Sequence, residues 1–232
     1  MKKVIQLFYC LIIVCCIQSN LNAQTPLTIH LNPTYGTNIF DLNTTFSLDN
    51  NDSITFEMLK FYLSNIVLYH NEIAVWEEKN SFHLVNYENS SSLKIVCDIP
   101  VDLNYNQLKF DIGIDSITNV SGAMGGDLDP TKGMYWTWQS GYVNFKLEGT
   151  SNICDSYKNE FQYHVGGYQA PYATLQSVVL PVKKGSQINI EIAIKEFINS
   201  IHLKDESHIM SLGAEAVELS ELLITMFKIQ GR

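Results

Sequence analysis

The stretch INIEIAIK, residues 188–195, alternates strictly between isoleucine and other side chains. Successive side chains of a β-strand point to opposite faces, so this period of two indicates a strand with one buried and one wet face. LTIHL at 27–31 and VNFKL at 143–147 repeat the pattern. These segments decide the fold class, because a helix would instead place its apolar residues three and four apart.

Strand signals continue through most of the chain. Short apolar segments are separated by clusters of Asn, Asp, Gly and Ser, which is typical of β-sandwiches and barrels. The segment 118–133, rich in Gly, Asn and Asp, is predicted as a long loop. Further strands are predicted at 53–56, 61–69, 82–87, 93–98, 108–114, 160–165 and 177–182.

One segment near the C-terminus has a different period. Leu219, Leu222 and Leu223 recur at helical spacing, which predicts a helix over 214–226 and a final strand or tail over 227–230. The whole sequence therefore predicts an all-β fold. Its form is an antiparallel β-sandwich, or a partly open barrel, with one short C-terminal helix packed on it.

The N-terminal residues have the order of a secretory signal. Lys2 and Lys3 precede an apolar run over 4–17, and Ala23 supplies a small residue at the predicted cleavage site. We therefore predict a signal peptide over residues 1–23.

The remaining residues, 24–232, are predicted to form one domain. The protein is expected to be exported to the periplasm or cell envelope, and a lipoprotein attached through Cys15 or Cys16 is the alternative. The apolar run is too short to cross a bilayer comfortably, and no membrane span is predicted elsewhere.

Acidic residues outnumber basic ones in the predicted domain. The full sequence has 24 acidic and 15 basic residues; without Lys2 and Lys3 the net charge is 13 − 24 = −11. Such a surface repels the phosphate backbone, which argues against nucleic acid as a partner. The same charge is compatible with binding a metal cation.

Two cysteines, Cys97 and Cys154, follow the predicted signal. Thiols in an oxidising compartment often pair, so these two are a candidate disulfide, with two separate thiols as the alternative. Neither belongs to a CxxC motif, so neither a redox motif nor a thiolate zinc site is indicated.

Recognisable catalytic motifs are absent from the sequence. It contains no GxSxG, no Walker-type phosphate loop and no HExxH, and its carboxylates are scattered. We therefore predict that the protein is not an enzyme.

The densest aromatic block is MYWTWQSGY, residues 134–142. On a strand, Met134, Trp136 and Trp138 would share one face. Tryptophan buries a large area, so sandwich core is the ordinary interpretation. The alternative is that one of the two tryptophans lies at a site and is used chemically.

Histidines supply the candidate metal ligands. In FQYHVGG, residues 161–167, His164 lies on the less apolar face of a predicted strand, and His30 has the same placement on its own strand. Two imidazoles from separate strands could meet around copper, zinc or nickel. A surface or hydrogen-bonded histidine is the alternative for each.

Two further patterns are weaker candidates for metal binding. His208 and Met210 form an HxM pair of the kind that suits Cu(I), although Met210 as ordinary core is the favoured interpretation. Asp127 and Asp129 could be ligands for calcium. Two carboxylates fall well short of its roughly six to eight oxygen ligands, so a turn is favoured there.

Several of these motifs together resemble the MbnP-like copper-binding family in order and approximate spacing. The motifs are FYLSNI at 61–66, FDIGID at 110–115 with Asn119 after it, and the two blocks MYWTWQSGY and FQYHVGG. The resemblance covers about residues 25–230. It implies an exported β-sandwich protein.

The resemblance also implies a role in copper handling. Family members are associated with the copper chelator methanobactin and with a MauG-like dihaem partner, of cytochrome c peroxidase type, that oxidises a tryptophan to a kynurenine-type residue. Carried over by motif, Trp136 and Trp138 are the candidates for modification. His164 is the candidate ligand for Cu(I) or Cu(II) in what would be a metal carrier or scavenger.

One position departs from the family pattern. Several relatives carry an Asn-His pair in the loop before the tryptophan block, whereas this chain has Asn119 followed by Val120. The loss of that imidazole favours an alternative function. The protein would then be a structural or interaction module of the envelope that has kept the fold but not the metal site.

Overall fold

The fold is seen in a computed structural model that describes residues 23–48, 51–139 and 141–231. Its strands form two sheets that pack around one core. All of the predicted signal peptide except Ala23 lies outside the described residues. Within the described ranges, no helix is both long and apolar enough to cross a membrane.

The smaller sheet is built around the N-terminal strand β1 (Gln24–Tyr35). This strand pairs in parallel with β13 (Gln187–Ala193) and antiparallel with β2 (Asn38–Ile39) and β7 (Lys94–Pro100). The short strand β15 (Phe227–Ile229) pairs antiparallel with β13. The two ends of the domain therefore meet in one sheet.

The larger sheet is centred on β4 (Ser53–His70), which is 18 residues long. Its main path runs β12–β8–β4–β10–β11–β14; β3, β5 and β6 also pair with β4, and β9 pairs with β10. The strands that surround β4 are β3 (Thr45–Ser47), β5 (Ile73–Glu77), β6 (Phe82–Asn86), β8 (Gln107–Ile112), β9 (Tyr135–Trp136), β10 (Gly141–Ser151), β11 (Glu160–Gly166), β12 (Gln176–Pro181) and β14 (His208–Ile209).

The core lies between the two sheets and follows the period-two pattern. In β1 and β13 the leucines and isoleucines of the alternating segments are buried, while the residues between them are partly or fully exposed. The predicted all-β sandwich is thus confirmed. It is mainly antiparallel, with parallel pairing between β1 and β13 and between β11 and β14.

The C-terminal helix is confirmed as α3 (Ala214–Leu223), continued by a 3-10 turn at Ile224–Met226. Ala216, Leu219 and Leu223 are buried in the common core. The helix packs on the sandwich because its apolar stripe has no other surface on which to be buried.

Two strands predicted at 53–56 and 61–69 are in fact the single strand β4. The apolar residues Phe56 and Leu59 are three apart, which departs from the period of two. A β-bulge opposite Gly149 absorbs the extra residue, so both side chains still point into the core. A Cβ at Gly149 would lie 2.1 Å from the Thr55 carbonyl oxygen, so the close approach requires glycine.

The last residues of the 188–195 stretch are not strand. Its strand ends at Ala193, and a helix that the sequence analysis missed, α2 (Ile194–Ser200), begins at the next residue. Ile194, Phe197 and Ile198 are spaced as on one helical face, and all three are buried.

The predicted long loop at 118–133 contains short helical segments. A one-turn helix, α1 (Ser116–Val120), is capped by the Asp115 side chain, which accepts a hydrogen bond from the Thr118 amide. Two 3-10 turns follow at Gly126–Leu128 and Pro130–Lys132. The segment folds over the outer face of the larger sheet, where Leu128 joins a second apolar cluster.

Candidate functional site

The outer face of the larger sheet carries His164. Phe161, Tyr163 and Val165 of β11 point into the core, so His164 between them points away from it. It is nevertheless only 7% exposed. A buried imidazole needs polar partners, which the neighbouring strand supplies.

The partner of His164 is Glu148 on β10. His164 Nε2 lies 2.6 Å from Glu148 Oε1. The hydrogen bond from His164 lowers the pKa of the Glu148 carboxyl, and this outweighs the opposing effect of burial. Because an ionised carboxylate only accepts, Nε2 carries the proton in the neutral ring and Nδ1 keeps its lone pair. In the described part of the chain Nδ1 has no hydrogen-bond partner.

Basic side chains continue the row beside His164. Lys146 of β10 is its direct cross-strand neighbour, and Lys60 of β4 is opposite Lys146 in turn. Burial, together with the nearby charge of Lys60, lowers the pKa of Lys146, although Glu148 opposes the shift. The row therefore places three nitrogen bases side by side on one face of the sheet.

Trp136 lies on the same face, next to His164 along β11. A Cβ at Gly166 would be 2.8 Å from Trp136 Cζ3, so the indole covers the place that a side chain at Gly166 would occupy. Residues two apart on a strand share a face and are separated by about 6.5 to 7 Å. The Trp136 ring therefore packs on the strand position two residues from His164, which sequence alone did not reveal.

Trp138 differs from Trp136 in exposure. Strand β9 ends at Trp136 and a turn follows, so the two residues do not alternate along one strand. Trp136 is buried in the second apolar cluster, whereas Trp138 is 62% exposed, with ring centroids 5.3 Å apart. Trp136 and Met134 are thus buried, but in the second apolar cluster and not in the sandwich core, and the core interpretation is wrong for Trp138.

The loop before the tryptophans is fixed by Asn119. Its amide donates to the carbonyl oxygens of Ile114 and Asp115, and its Oδ1 accepts from the Tyr142 amide. The following residue, Val120, is 71% exposed. The hydrogen bonds of Asn119 therefore hold the loop in place, and the side chain of Val120 has no nitrogen that could bind a metal.

His30 lies on the opposite side of the molecule. It alternates with Ile29 and Leu31, which are buried in the common core, so it points outward from the smaller sheet. His164 points outward from the larger sheet. The structure therefore does not bring the two predicted ligands together.

The weaker candidates have local partners of their own. His208 Nδ1 is 3.0 Å from Ser207 Oγ, and Met210 is 42% exposed, so the core interpretation of Met210 is wrong. Asp127 accepts from the Leu84 amide and from Lys132, while Asp129 caps the turn at Pro130–Lys132. The turn interpretation of the two aspartates fits these contacts.

The described residues contain no cluster of three or more His, Cys, Asp or Glu side chains arranged to hold a metal ion. The donor set for copper at His164 is thus one free imidazole nitrogen, oriented by a carboxylate, beside an indole. This arrangement fits copper only if a further donor is supplied.

Cys97 and Cys154 are two separate buried thiols in this structure. Cys97 Sγ lies 3.8 Å from Glu78 Oε1, and Cys154 Sγ is 3.6 Å from the Leu203 carbonyl oxygen. Burial and nearby negative charge raise the pKa of Cys97 to about 12 and that of Cys154 to about 11. The structure therefore has the two thiols in place of the candidate disulfide.

Glu148 and Lys146 are site residues that the sequence analysis missed. The alternation of VNFKLEG places both on the wet face of β10, and that signal was available. The pairing of these residues with β11 could not be read from the sequence, because the register between strands depends on the fold.

Comparisons with known proteins give matches to MbnP, both by sequence and by structure. The chain matches the model of the family described as MbnP over residues 24–211. Among solved structures it is similar to MbnP from Methylosinus trichosporium, with a TM-score of 0.60, 13% sequence identity, and coverage of 83% of this chain and 82% of that chain. No curated protein matches it. At that identity, the structural match bears on the fold.

Proposed function

The chain belongs to the MbnP family, and from this premise we propose that it is a copper-binding protein whose metal site is built on His164 and Trp136. The Glu148–His164 pair is the observation that carries the proposal. Histidines that bind metals almost always donate their second ring N–H to a carboxylate or carbonyl, which fixes the tautomer and makes the free nitrogen more basic. His164 has this arrangement, with Nδ1 free to bind.

Trp136 is proposed as the source of the missing donor. Its ring lies over Gly166, two residues from His164 on β11, and the centroid of the Trp138 ring is 5.3 Å from its own. Oxidation to a kynurenine-type residue, by an oxidant delivered through a MauG-like dihaem partner, would convert an indole into a group with carbonyl and amine donors. Copper binding should then depend on that modification.

The protein itself is proposed to act as an exported carrier or scavenger without turnover. Its partners would be the dihaem protein and an anionic or peptide copper chelator of the methanobactin kind. Family membership supports this context.

The test is to isolate the protein from its native host and to measure its peptide masses and bound copper in the same sample. We expect a mass shift on the peptide that contains Trp136, together with stoichiometric copper. His164→Ala and Trp136→Phe should each lose the copper, because each removes a proposed donor.

His30→Ala and Trp138→Phe are the matched controls. Each removes the same kind of side chain at a position that is not a proposed ligand, so copper should be retained in both. Copper that survives His164→Ala, or that binds fully to unmodified protein, would contradict the proposal.

A second function is favoured by the incomplete donor set. With Val120 in place of the relatives' histidine and no cluster of three metal-binding side chains among the described residues, the chain fits an envelope module that has lost its metal site. Unmodified tryptophans and no retained copper in the native-host sample would establish this alternative.

A further inference from the structure

A polar cavity of about 510 Å³ lies on the outer face of the larger sheet, beginning at Lys60, where the row of bases from His164 ends. Its wall includes the side chains of three lysines, Lys60, Lys94 and Lys132. They come from β4, from β7 of the other sheet, and from the 3-10 turn Pro130–Lys132. The fold therefore gathers three distant lysines around one concavity.

The cavity has an excess of positive charge. Asp127 is the one carboxylate that lines it, and it pairs with Lys132 at 2.6 Å. Lys60 lies 3.6 Å from Glu88, a carboxylate that is 58% exposed and outside the lining. Lys94 has no ion-pair partner among the described residues. Lys60 and Lys132 are each paired with a carboxylate, so the excess in and around the wall is one positive charge, that of Lys94.

This charge is opposite to that of the protein as a whole. The chain has a formal net charge of −9, yet three of its 15 basic residues line this one cavity. Ammonium groups that line one concave surface favour an anion placed between them. Lys60 is only 15% exposed, so its charge is screened less by solvent than that of a surface lysine.

Neutral donors complete the lining. Asn86 is the cross-strand neighbour of Lys60, and Asn89 lies at the start of the 3-10 turn Ser90–Leu93. The side-chain oxygens of both asparagines accept backbone amides, which leaves their NH₂ groups available to the cavity. Lysine ammonium groups and amide donors are groups that bind phosphate and carboxylate oxygens.

We propose that this cavity binds a small anion with at least two charged oxygen groups, of the phosphorylated or polycarboxylated class. The binding would not depend on copper or on tryptophan oxidation. It requires only the lysine side chains and the fold, so it can be tested independently of the proposed metal site.

The experiment is titration calorimetry on the unmodified, metal-free protein in low-salt buffer, with pyrophosphate and citrate as separate probes. We expect binding of at least one probe, weakened by added sodium chloride because the contacts are ionic. Pyrophosphate alone would indicate a phosphorylated ligand, citrate alone a polycarboxylate. Binding of neither probe would overturn the proposal.

Two triple variants distinguish binding in the cavity from nonspecific attraction of the anionic probes to lysine side chains. Lys60→Gln with Lys94→Gln and Lys132→Gln should weaken binding at least about tenfold, since charge-assisted hydrogen bonds are lost. Lys158→Gln with Lys183→Gln and Lys204→Gln changes the net charge equally at exposed sites elsewhere and should leave binding unchanged. Equal losses in the two triple variants would contradict the proposal. The single variant Lys94→Gln changes an exposed side chain and leaves Lys60 in place, so it should fold normally. It should also weaken binding, which would show that the loss in the triple variant is not caused by misfolding.

Discussion

At the scale of single residues, Glu148 connects the stability of the sheet with the chemistry of His164. The carboxylate is held ionised by its hydrogen bond to His164, and it fixes which ring nitrogen is free. Its replacement should therefore change the pH dependence of unfolding and, under the proposed function, the affinity for copper.

Glu148→Gln should destabilise the protein by about 1 kcal/mol at neutral pH, a modest value because the side chain is partly solvated. The folded-state pKa of Glu148 lies below the ordinary 4.5, so its contribution is complete above that pH and is lost as the pH falls through the folded-state pKa. Urea unfolding of both proteins from pH 7 to pH 3 measures the difference. A gap between wild type and variant that does not narrow in acid would refute this role for Glu148.

Sequence alone predicted His164 but not its surroundings. The alternation of FQYHVGG placed the imidazole on the outer face correctly. The packing of Trp136 on the same strand depends on the turn after β9 and on the absence of a side chain at Gly166. The alternation of apolar residues predicts neither of these features. His30 showed the same local pattern as His164. A period of two indicates which face of a strand is exposed to solvent, but not which sheet the strand joins.

At the scale of elements, α3 is attached to the sandwich by a few apolar side chains. Leu223 is completely buried, while Glu221 on the same helix is exposed. Leu223→Ala should lower the free energy of unfolding by about 2–5 kcal/mol, since it leaves a cavity in the core. Denaturant unfolding measures this effect.

Glu221→Ala is the matched control for this helix. It changes a side chain of the same element that has no core contact, so its effect should stay within about 0.5 kcal/mol. Similar losses in both variants would contradict the role of core packing, because alanine has a higher helix propensity than either residue that it replaces.

Elements with a clean period were predicted well, and those with irregularities were not. Most strand limits agree within two residues, because alternation reports burial directly. The bulge in β4 and the change from strand to helix at Ile194 escaped prediction. In both places tertiary packing selects the conformation, and the local spacing of apolar residues supports more than one outcome.

At the scale of the whole molecule, the common core encloses both thiols. Cys97 is 2% and Cys154 is 4% exposed, and their raised pKa values keep them protonated at neutral pH. Since the thiolate is the reactive form, alkylation of the native domain should be slow and should require opening of the core.

The measurement is mass spectrometry of a chain beginning at Gln24 after treatment with iodoacetamide, without reductant. We expect no label in native buffer and two labels per chain in denaturant. Absence of labelling after unfolding, reversed by a reductant, would instead reveal a disulfide between Cys97 and Cys154.

The length of β4 has a consequence for how the molecule opens. Its centre is held by strands on both sides, with Phe61 opposite both Phe145 and Val85. Amide hydrogens there should exchange with solvent only when the entire domain unfolds. By contrast, β9 has two residues and one partner, so it can detach in brief local fluctuations. An approaching protein could thus reach Trp136 while the rest of the sandwich stays folded.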